Sequence, residues 1–534
     1  MTTDRYGESA LSPRLAPGWH ARTLIEGTRL VGANGLRMGS DNHLYVAQAF
    51  GGQISAVNLD GGDSKIVSPA DGAIVAPDDL AFDSRGNLFV TEVMSARVSA
   101  LRPNGDVQVI AEHVPVANGI VVHNDRIFMS EFNPEGRILE LYPDGAPPRV
   151  IATHLMMPNA LSVGPDGYLY FPLEPLGEIW RVAIAGGTAE KVAGGYDIPT
   201  AVKFSPSGLL TIVESGTGVI TGLNVKTGHK TRLGQVAFGI DNLAYTDDGR
   251  LFVSHFTDGS ITEVTFGAEA NALVSGGMLG PFGLAVAADG NLLIADGMSM
   301  ATVTDQGLLR RPAMLLQHGF PGYVRGVAID KNGSALFTNS AGVIARYAPG
   351  TEADILGSEF DRLMGICVAN DGNIYAAESG AGAIVELKPD GSARRIAGLS
   401  IPCGLCSDET GVIYVSDEGD GTVKRLRPDE GRFETLAKGF SRPQGIALAD
   451  GSLYVVDRGS HSLVEICCST GDISSIADNL PVGMSGTLRA NTLPGIADLM
   501  PGPLLPFSDV AVLPSGGICI GGDENGSVLG IFRA

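Results

Sequence analysis

Apolar and polar residues follow one short template that recurs along the whole chain. Each copy has an alternating run, a turn such as Asp166-Gly167 or Asp289-Gly290, and further alternating runs separated by Gly-bearing turns. Period-two alternation interrupted by Asp-Gly turns is typical of antiparallel strands joined by hairpins. Clear copies are PDDLAFDSRGNLFVTE, PNALSVGPDGYLYFP, GPFGLAVAADGNLLIAD, LMGICVANDGNIYAAES and RPQGIALADGSLYVVD. Four strands recurring about every 40 residues predict the blade of a β-propeller.

Twelve copies of the template predict the architecture. Their first strands are expected to begin near Asn34, Asp78, Asn118, Asn159, Thr200, Asp241, Phe282, Arg325, Met364, Cys403, Gln444 and Ser508. Twelve units exceed the roughly four to eight blades of one ring. We therefore expect an all-β protein with two six-bladed β-propellers in tandem, made of twelve four-stranded blades.

The ends of the chain suggest how the rings close. We expect residues 1–19 to be an N-terminal extension, 20–267 the first propeller, and 268–534 the second propeller. The last unit ends at its third strand, whereas HARTLIEG, from His20, resembles a fourth strand without the three before it. We expect HARTLIEG to complete the unit that begins at Asp241. EANALVSGG, from Glu269, is then left to complete the unit that begins at Ser508.

The first residue of each unit is expected at one mouth of a central channel, because the first strand of a blade lines that channel. In the first half these entrance residues are Asn34, Asp78, Asn118, Asn159, Thr200 and Asp241, and all carry a side-chain oxygen. In the second half they are Phe282, Arg325, Met364, Cys403, Gln444 and Ser508. An oxygen-rich mouth in the first half alone favours a hard divalent cation such as Ca²⁺. The alternative is that Asn and Asp simply favour turns between blades.

The second strand returns to the same mouth, so its last residue is also a candidate for chemistry. In the first half these return residues are Gln48, Glu92, Glu131, Leu173, Glu214 and His255. His255 shares a unit with Asp241 and is the first candidate for a general base or nucleophile, with a hydrogen-bonding role as the alternative. Glu92, Glu131 and Glu214 are further candidates for acid–base catalysis. Their alternative role is to orient ligand side chains or cap strands.

Three short segments carry a family resemblance: VANGIVV, from Val116, MPNALSV, from Met157, and GIDNLAY, from Gly239. They resemble the calcium-ligand segments of six-bladed hydrolases, namely the regucalcin/gluconolactonase family, the paraoxonases and the squid-type diisopropylfluorophosphatase. The resemblance implies metal ligands at Asn118, Asn159, Asp241 and Asn242. Those families usually have Glu at the first entrance, where this chain has Asn34, which leaves Asp78 to supply the charge. The repeats also resemble NHL-type units along nearly the whole chain.

The resemblance implies a calcium-dependent hydrolase that opens a lactone or cleaves a related ester, with another divalent cation as an alternative. In such an enzyme the cation binds the carbonyl oxygen of a small-molecule substrate. Two other functions stay open: a metal-dependent lyase acting on a cyclic ester, and a non-catalytic NHL-like binding scaffold. The chain has no G-x-S-x-G elbow, H-E-x-x-H, P-loop or dinucleotide fingerprint between a strand and a helix, so those enzyme classes are excluded.

Composition and charge narrow the possible partners. The 534 residues carry a net charge of −22, which argues against nucleic acid and against an anionic membrane surface. No apolar run reaches the ~18 residues that a membrane-spanning helix needs. The first residues lack the basic and apolar regions of a signal peptide, so we expect a cytoplasmic protein. The oligomeric state stays open.

Two further features are ambiguous in the sequence. The six Cys all lie in the second half, where buried reduced thiols are the first interpretation and a zinc site the alternative. The segment 481–506 interrupts the repeat and is rich in Gly and Pro. We expect it to be a lid or an interdomain element rather than a simple surface excursion.

Overall fold

The computed structural model describes residues 12–144, 146–304, 306–483, 495, 496, 500, 502, 505 and 507–534. These residues form β-strands and one short 3-10 helix, with no α-helix among them, which confirms the all-β prediction. Strands β1 (Arg14–Leu15) and β2 (Trp19–Ile25) precede the repeats. Within the described residues, no helix is long and apolar enough to cross a membrane.

Blades 1 to 6, together called the first ring, are antiparallel four-stranded sheets of consecutive strands. Blades 1 to 3 contain β3 (Ala33–Met38), β4 (His43–Gln48), β5 (Gln53–Asn58), β6 (Ser64–Ser68), β7 (Pro77–Phe82), β8 (Leu88–Glu92), β9 (Arg97–Leu101), β10 (Val107–Glu112), β11 (Ala117–His123), β12 (Arg126–Glu131), β13 (Gly136–Leu141) and β14 (Arg149–Leu155). Blades 4 to 6 contain β15 (Ser162–Val163), β16 (Tyr168–Leu173), the 3-10 helix η1 (Glu174–Leu176), β17 (Glu178–Ala183), β18 (Glu190–Gly194), β19 (Pro199–Phe204), β20 (Leu210–Glu214), β21 (Val219–Leu223), β22 (Lys230–Gln235), β23 (Ile240–Tyr245), β24 (Leu251–His255), β25 (Ile261–Val264) and β26 (Asn271–Val274).

Blades 7 to 12, together called the second ring, repeat this order as far as blade 11, where β1 adds a fifth strand. Blades 7 to 9 contain β27 (Gly283–Val286), β28 (Leu292–Asp296), β29 (Ser299–Val303), β30 (Leu309–Met314), β31 (Val324–Ile329), β32 (Ala335–Asn339), β33 (Ile344–Tyr347), β34 (Asp354–Gly357), β35 (Leu363–Val368), β36 (Ile374–Glu378), β37 (Ala383–Leu387) and β38 (Ala393–Ala397). Blades 10 to 12 contain β39 (Pro402–Ser407), β40 (Ile413–Asp417), β41 (Thr422–Arg427), β42 (Arg432–Lys438), β43 (Pro443–Ala449), β44 (Ser452–Asp457), β45 (Ser462–Cys467), β46 (Ile473–Asp478), β47 (Val510–Val512), β48 (Ile518–Gly521) and β49 (Val528–Arg533).

The inner strands close each ring. In the first ring β3 contacts both β7 and β23, and in the second ring β27 contacts both β31 and β47. Hydroxyl groups on second strands bind the backbone of the next blade, as when Thr91 Oγ1 donates to Asn118 O at 2.5 Å. Ser254 Oγ makes the same bond to Asn34 O and so joins blade 6 to blade 1. The twelve sheets therefore form two six-bladed propellers, as predicted.

The expected closing strands are exchanged, so that prediction was wrong. β2, which contains HARTLIEG, pairs with β49 and completes blade 12. β26 pairs with β25 and completes blade 6. The chain accordingly divides into one compact unit around Arg29–Gly276 and another that joins residues 12–28 to residues 277–483 and 507–534. Residues 20–28 thus lie with the second ring and residues 268–276 with the first.

The physical reason for the exchange lies just after β2. A Cβ atom on Gly27 would lie 1.8 Å from Asn525 O, so the chain passes blade 12 at a distance that only glycine permits. Thr28 N then donates to Met278 O at 2.8 Å. The two candidate closing strands have similar alternation, so their patterns alone do not distinguish the partners.

All six cysteines are free thiols. Cys367, Cys403 and Cys519 are buried, but the other three are only partly buried, so the prediction of six buried thiols was too broad. Most of the segment 481–506 lies outside the described residues, and its role as a lid or interdomain element stays a prediction.

Candidate metal and catalytic site

The entrance positions of the first ring coincide with irregularities in strand pairing. The register shifts between Ala33 and Leu36 in blade 1, and between Pro77 and Leu80 in blade 2. Blades 3, 5 and 6 have the same shift at the start of their first strands. A bulge bends the strand and redirects a side chain. Here it allows the entrance residue to point toward the mouth of the channel.

Three carboxyl groups from alternate blades, Asp78 of blade 2, Glu174 of blade 4 and Asp241 of blade 6, influence one another electrostatically across this mouth. Burial raises the pKa of Asp78 well above its ordinary value, and the charges of Asp79 and Glu174 raise it further. Burial likewise raises the pKa of Asp241, followed by repulsion from Asp78, Asp79 and Glu174. Carboxyl groups on blades 2, 4 and 6 can influence one another in this way only if they face the central channel.

Amide side chains surround these carboxyl groups. Asn34 donates a side-chain hydrogen bond to Asp241, which partly opposes the rise in the pKa of that carboxyl. Within the described residues, Asn34 Oδ1 is buried without a hydrogen-bond partner. Asn159 Nδ2 donates to Glu174 Oε2 at 2.8 Å, and Asn159 Oδ1 accepts from Ala160 N at 2.7 Å. The mouth therefore presents amide oxygens beside carboxylates.

The other two entrance residues of the first ring are also buried. Asn118 is buried at the start of β11. Thr200 Oγ1 donates to Ile240 O at 3.1 Å, so this hydroxyl links blade 5 to blade 6. Thr200 is thus an interblade contact.

Sequence reasoning missed Glu174, which follows the return residue of blade 4. β16 ends at Leu173, and Glu174 begins the helix η1. Glu174 is 5% exposed, and burial raises its pKa to about 7 while the bond from Asn159 opposes that rise. The available signal was the sequence FPLEPLG, in which the carboxylate occurs one position after an apolar return residue. Because of this offset of one position, the carboxylate lies just after the strand, at the mouth of the channel.

Asn242 lies one layer below the other predicted ligands. Its Nδ2 donates to Asp79 Oδ1 at 3.2 Å, and its Oδ1 accepts from Leu243 N at 2.9 Å. This contact crosses from blade 6 to blade 2 over Gly35, where a Cβ atom would lie 2.7 Å from Asp79 Oδ1. The structure therefore brings together Asn34, Asp78, Asn159 and Asp241, but it places Asn242 beneath them.

The return glutamates of the first ring bind groups within their own blades. Glu92 is fully buried, accepts from Arg97 Nη2 at 2.7 Å, and accepts from Val75 N at 2.6 Å. Glu131 pairs with Arg137, with both oxygens at 2.6 Å from guanidinium nitrogens. These contacts hold loops and strands in place. A catalytic role for either residue stays a prediction that these contacts do not support.

Glu214 and His255 are also buried, and each lies close to a threonine of its own blade. Glu214 accepts from Asp197 N at 2.9 Å and from Thr221 Oγ1 at 3.1 Å. His255 is 1% exposed, and its Nε2 lies 3.5 Å from Thr262 Oγ1 on the neighbouring strand. The catalytic role of these two residues also stays a prediction.

The mouth fits a hard cation by its donor chemistry. Its donors are carboxylate and amide oxygens, and Asn34 Oδ1 is buried without a hydrogen-bond partner among the described residues. Across the described part of the chain, no three His, Cys, Asp or Glu side chains form a group that could hold a metal. A metal at this mouth would therefore need the asparagine oxygens as ligands.

Comparisons with known proteins give one family-model match and several similar solved structures. An NHL repeat model matches residues 440–466, within blade 11. No curated protein matches the chain. Similar solved structures include virginiamycin B lyase from Staphylococcus aureus, at 15% identity and a TM-score of 0.34, covering 60% of this chain and 96% of that chain. A gluconolactonase from Xanthomonas campestris has 17% identity and a TM-score of 0.38, covering 46% and 92% respectively.

A nidogen/laminin complex also matches, at 18% identity and a TM-score of 0.35, with 40% of this chain and 92% of that chain covered. These proteins differ from one another in what their names describe, and their identity to this chain is low. The similarities therefore assign neither a substrate nor a reaction to it.

Proposed function

We propose that the protein is a divalent-metal-dependent hydrolase that opens a lactone or cleaves a related ester at the mouth of the first ring. The observation that supports this proposal is the buried Asn34 Oδ1 without a partner among the described residues, on a residue that binds Asp241, at a mouth where Asp78, Glu174 and Asp241 influence one another electrostatically. Buried like charges are costly, and a bound cation is the ordinary way to offset that cost. The second ring has no comparable set of entrance carboxylates.

The residues that would hold the metal are Asp78 and Asp241, with the side-chain oxygens of Asn34, Asn118 and Asn159. Calcium is the preferred ion because all these donors are oxygens. A divalent cation bound there would supply a Lewis acid that polarises the carbonyl of a small-molecule substrate. Asn242 would support this set from below, because it binds Asp79 next to Asp78.

Glu174 is the residue placed to move a proton. Its carboxyl group lies at the mouth, is held by Asn159 Nδ2 at 2.8 Å, and is largely screened from water. In hydrolysis it would take a proton from the attacking water and return it to the leaving oxygen. The same hydrogen bond fixes the orientation of the Asn159 amide, so Glu174 also positions a proposed metal ligand.

A metal titration combined with a substrate screen tests the proposal. Calcium should raise the melting temperature, EDTA should lower it, and hydrolysis of lactones or aryl esters should require the metal. Asn118→Ala should abolish the activity, whereas Cys403→Ala, at an entrance position of the second ring, should retain it. Metal-independent melting together with no activity in the screen would contradict the proposal and favour a binding scaffold.

Hydrolysis and elimination can then be separated with labelled water. Hydrolysis in oxygen-18 water places the label in the product, because water supplies the attacking oxygen. A lyase would give an unlabelled product, since elimination needs a base but no attacking water. Unlabelled product from a metal-dependent reaction would replace the hydrolase proposal with the lyase alternative.

A further inference from the structure

A cationic layer lies below the acidic mouth of the first ring. Arg37 in β3 and Lys203 in β19 each stand three positions beyond the entrance residue of their blade. Lys203 is 7% exposed, and no described residue forms a hydrogen bond with its Nζ atom. Burial and, to a smaller extent, repulsion from Arg37 lower the pKa of Lys203 to about 7, although the charge of Asp79 opposes this shift. An ammonium group in this environment is poorly solvated.

Both cationic side chains point into the channel. Arg37 comes from blade 1, yet its Nε donates to Leu80 O at 2.6 Å and its Nη2 donates to Ile120 O at 3.1 Å, on blades 2 and 3. Lys203 comes from blade 5, and the charges that act on it belong to Arg37 and Asp79, on blades 1 and 2. A side chain that interacts with blades on the far side of a six-bladed ring must extend toward its axis.

Asp79 does not use its hydrogen-bonding capacity on Lys203. Its Oδ1 accepts from Leu80 N at 2.8 Å and from Asn242 Nδ2 at 3.2 Å, and its Oδ2 accepts from Ile120 N at 3.1 Å. Its nearest approach to Arg37 is 3.8 Å, from Oδ1 to Nη2, which is longer than a hydrogen bond. The negative charge that acts on both Arg37 and Lys203 is therefore Asp79, whose oxygens already accept hydrogen bonds from neutral donors.

We propose that Lys203 and Arg37 bind a small monovalent anion, a halide or a carboxylate, on the channel axis of the first ring. The layer contains one more positive charge than negative charge when its groups are ionised. The three donors of a lysine ammonium and the remaining N–H groups of Arg37 can converge on such an ion. The equivalent positions in blades 7 and 11 are Ala285 and Ala447, so the site is specific to the first ring. It is separate from the proposed metal site and does not depend on the hydrolase activity.

Chloride-35 NMR of the full-length protein tests the site directly. The measurement is made in EDTA, so that chloride bound to a metal cannot contribute, and at constant sodium concentration. The wild-type protein should broaden the chloride resonance in a saturable way, and bromide should reverse the broadening. Displacement by formate would show that carboxylates are accepted, whereas displacement by bromide alone would restrict the site to halides. An absence of saturable broadening would overturn the proposal.

Two matched variants locate the effect. Lys203→Met should weaken chloride binding by about 10-fold or more, because a hydrogen bond to a charged group is lost. Lys191→Met should bind as the wild type does, because Lys191 is half-exposed and pairs with Glu178 at the surface. Equal broadening by the two variants would overturn the proposal. If Lys203→Met does not fold, bromide-soaked wild-type crystals decide the question: an anomalous peak within hydrogen-bond distance of Lys203 Nζ supports the site, and water there refutes it.

Discussion

The two rings use the same blade, but the side chains at their mouths are satisfied in different ways. In the second ring Ser508 Oγ donates to Asp523 Oδ1 at 2.6 Å, and Gln444 Nε2 donates to Glu418 Oε2 at 2.8 Å. Arg325 is buried there, with Nη1 donating to Leu363 O at 2.7 Å. In the first ring the equivalent layer brings carboxyl groups together so that burial and repulsion raise their pKa values. The blade therefore supplies a position, and the entrance residue decides whether that position carries a buried carboxyl group or a side chain with a hydrogen-bonding partner.

Several acidic return residues show the opposite behaviour, because they make the same contact in both rings. Glu214 in the first ring accepts from the backbone N–H of the residue 17 positions before it. Asp296 and Glu378 in the second ring do the same. These acidic residues tie the loop that enters a blade to its second strand. Polar residues near a propeller mouth thus include both scaffold contacts, which recur in the two rings, and site residues, which do not.

The largest expected difference between the rings is in activity. Asp241→Asn should reduce kcat/KM on the lactone or ester identified by screening by ~100-fold or more, because it removes a charged ligand of the proposed metal. Ser508→Ala changes the equivalent position of blade 12 and should leave kcat/KM within about two-fold, since no metal is proposed there. A similar loss in both variants would mean that the chemistry is not confined to the first ring.

The next largest difference between the rings should be in the free energy of unfolding that is lost when an entrance side chain is removed. Phe282 is 2% exposed at the entrance of blade 7, and Phe282→Ala should cost ~3–5 kcal/mol of unfolding free energy through the cavity it leaves. Asn34→Ala, at the entrance of blade 1, should change that free energy by less than ~1 kcal/mol, because it also removes a buried acceptor without a partner. Urea unfolding monitored by circular dichroism measures both. Equal midpoints would contradict the contrast between an apolar and a polar mouth.

The return residues should respond alike. Glu131→Gln and Glu378→Gln each remove a buried carboxylate that pairs with an arginine, at 2.6 Å from Arg137 Nε and from Arg395 Nε respectively. Each change should cost ~1–3 kcal/mol, measured as a shift in the urea midpoint of unfolding. Loss of activity in a fully folded Glu131→Gln protein would instead assign that residue the catalytic role that its contacts do not support.

The smallest expected effect is on the pH dependence of the free energy of unfolding. Burial raises the pKa of Asp509 to about 7, whereas the equivalent residue of the first ring is the uncharged Asn242. Between about pH 4 and pH 7 the folded protein keeps this proton while the unfolded chain loses it, so stability should fall as pH rises. The slope is at most ~1.4 kcal/mol per pH unit for one group.

Asp509→Asn isolates this contribution, because the mouth carboxyls of the first ring remain in the variant. Thermal melts from pH 4 to pH 8 should show a shallower decline for the variant than for the wild-type protein. The variant should also be less stable at low pH, since Asp509 Oδ1 accepts from Val510 N at 2.9 Å and Oδ2 from Leu284 N at 3.0 Å, and an amide has only one acceptor oxygen. Parallel pH profiles would show that Asp509 is ionised throughout this range in the folded protein.

Much of the fold was predictable because it is local. The alternation of apolar residues and the Asp-Gly turns specify hairpins, and their repetition specifies the number of blades. The entrance residues followed from the same repeat, since every blade begins at the same mouth. Asn34, Asp78, Asn159 and Asp241 could therefore be grouped although they are far apart in the chain. Glu174 escaped this reasoning because it lies outside the repeat, in the helix η1.

The amino-acid sequence by itself determined which segments become strands and which side chains face a channel, because period and turn chemistry act over a few residues. Tertiary structure alone decided that β2 completes blade 12 and β26 completes blade 6, since their patterns permit either partner. It also decided that the charges of Arg37 and Asp79 act on Lys203, because closing a ring brings together blades that are distant in sequence. Ionisable side chains have shifted pKa values and buried partners only after ring closure removes them from water.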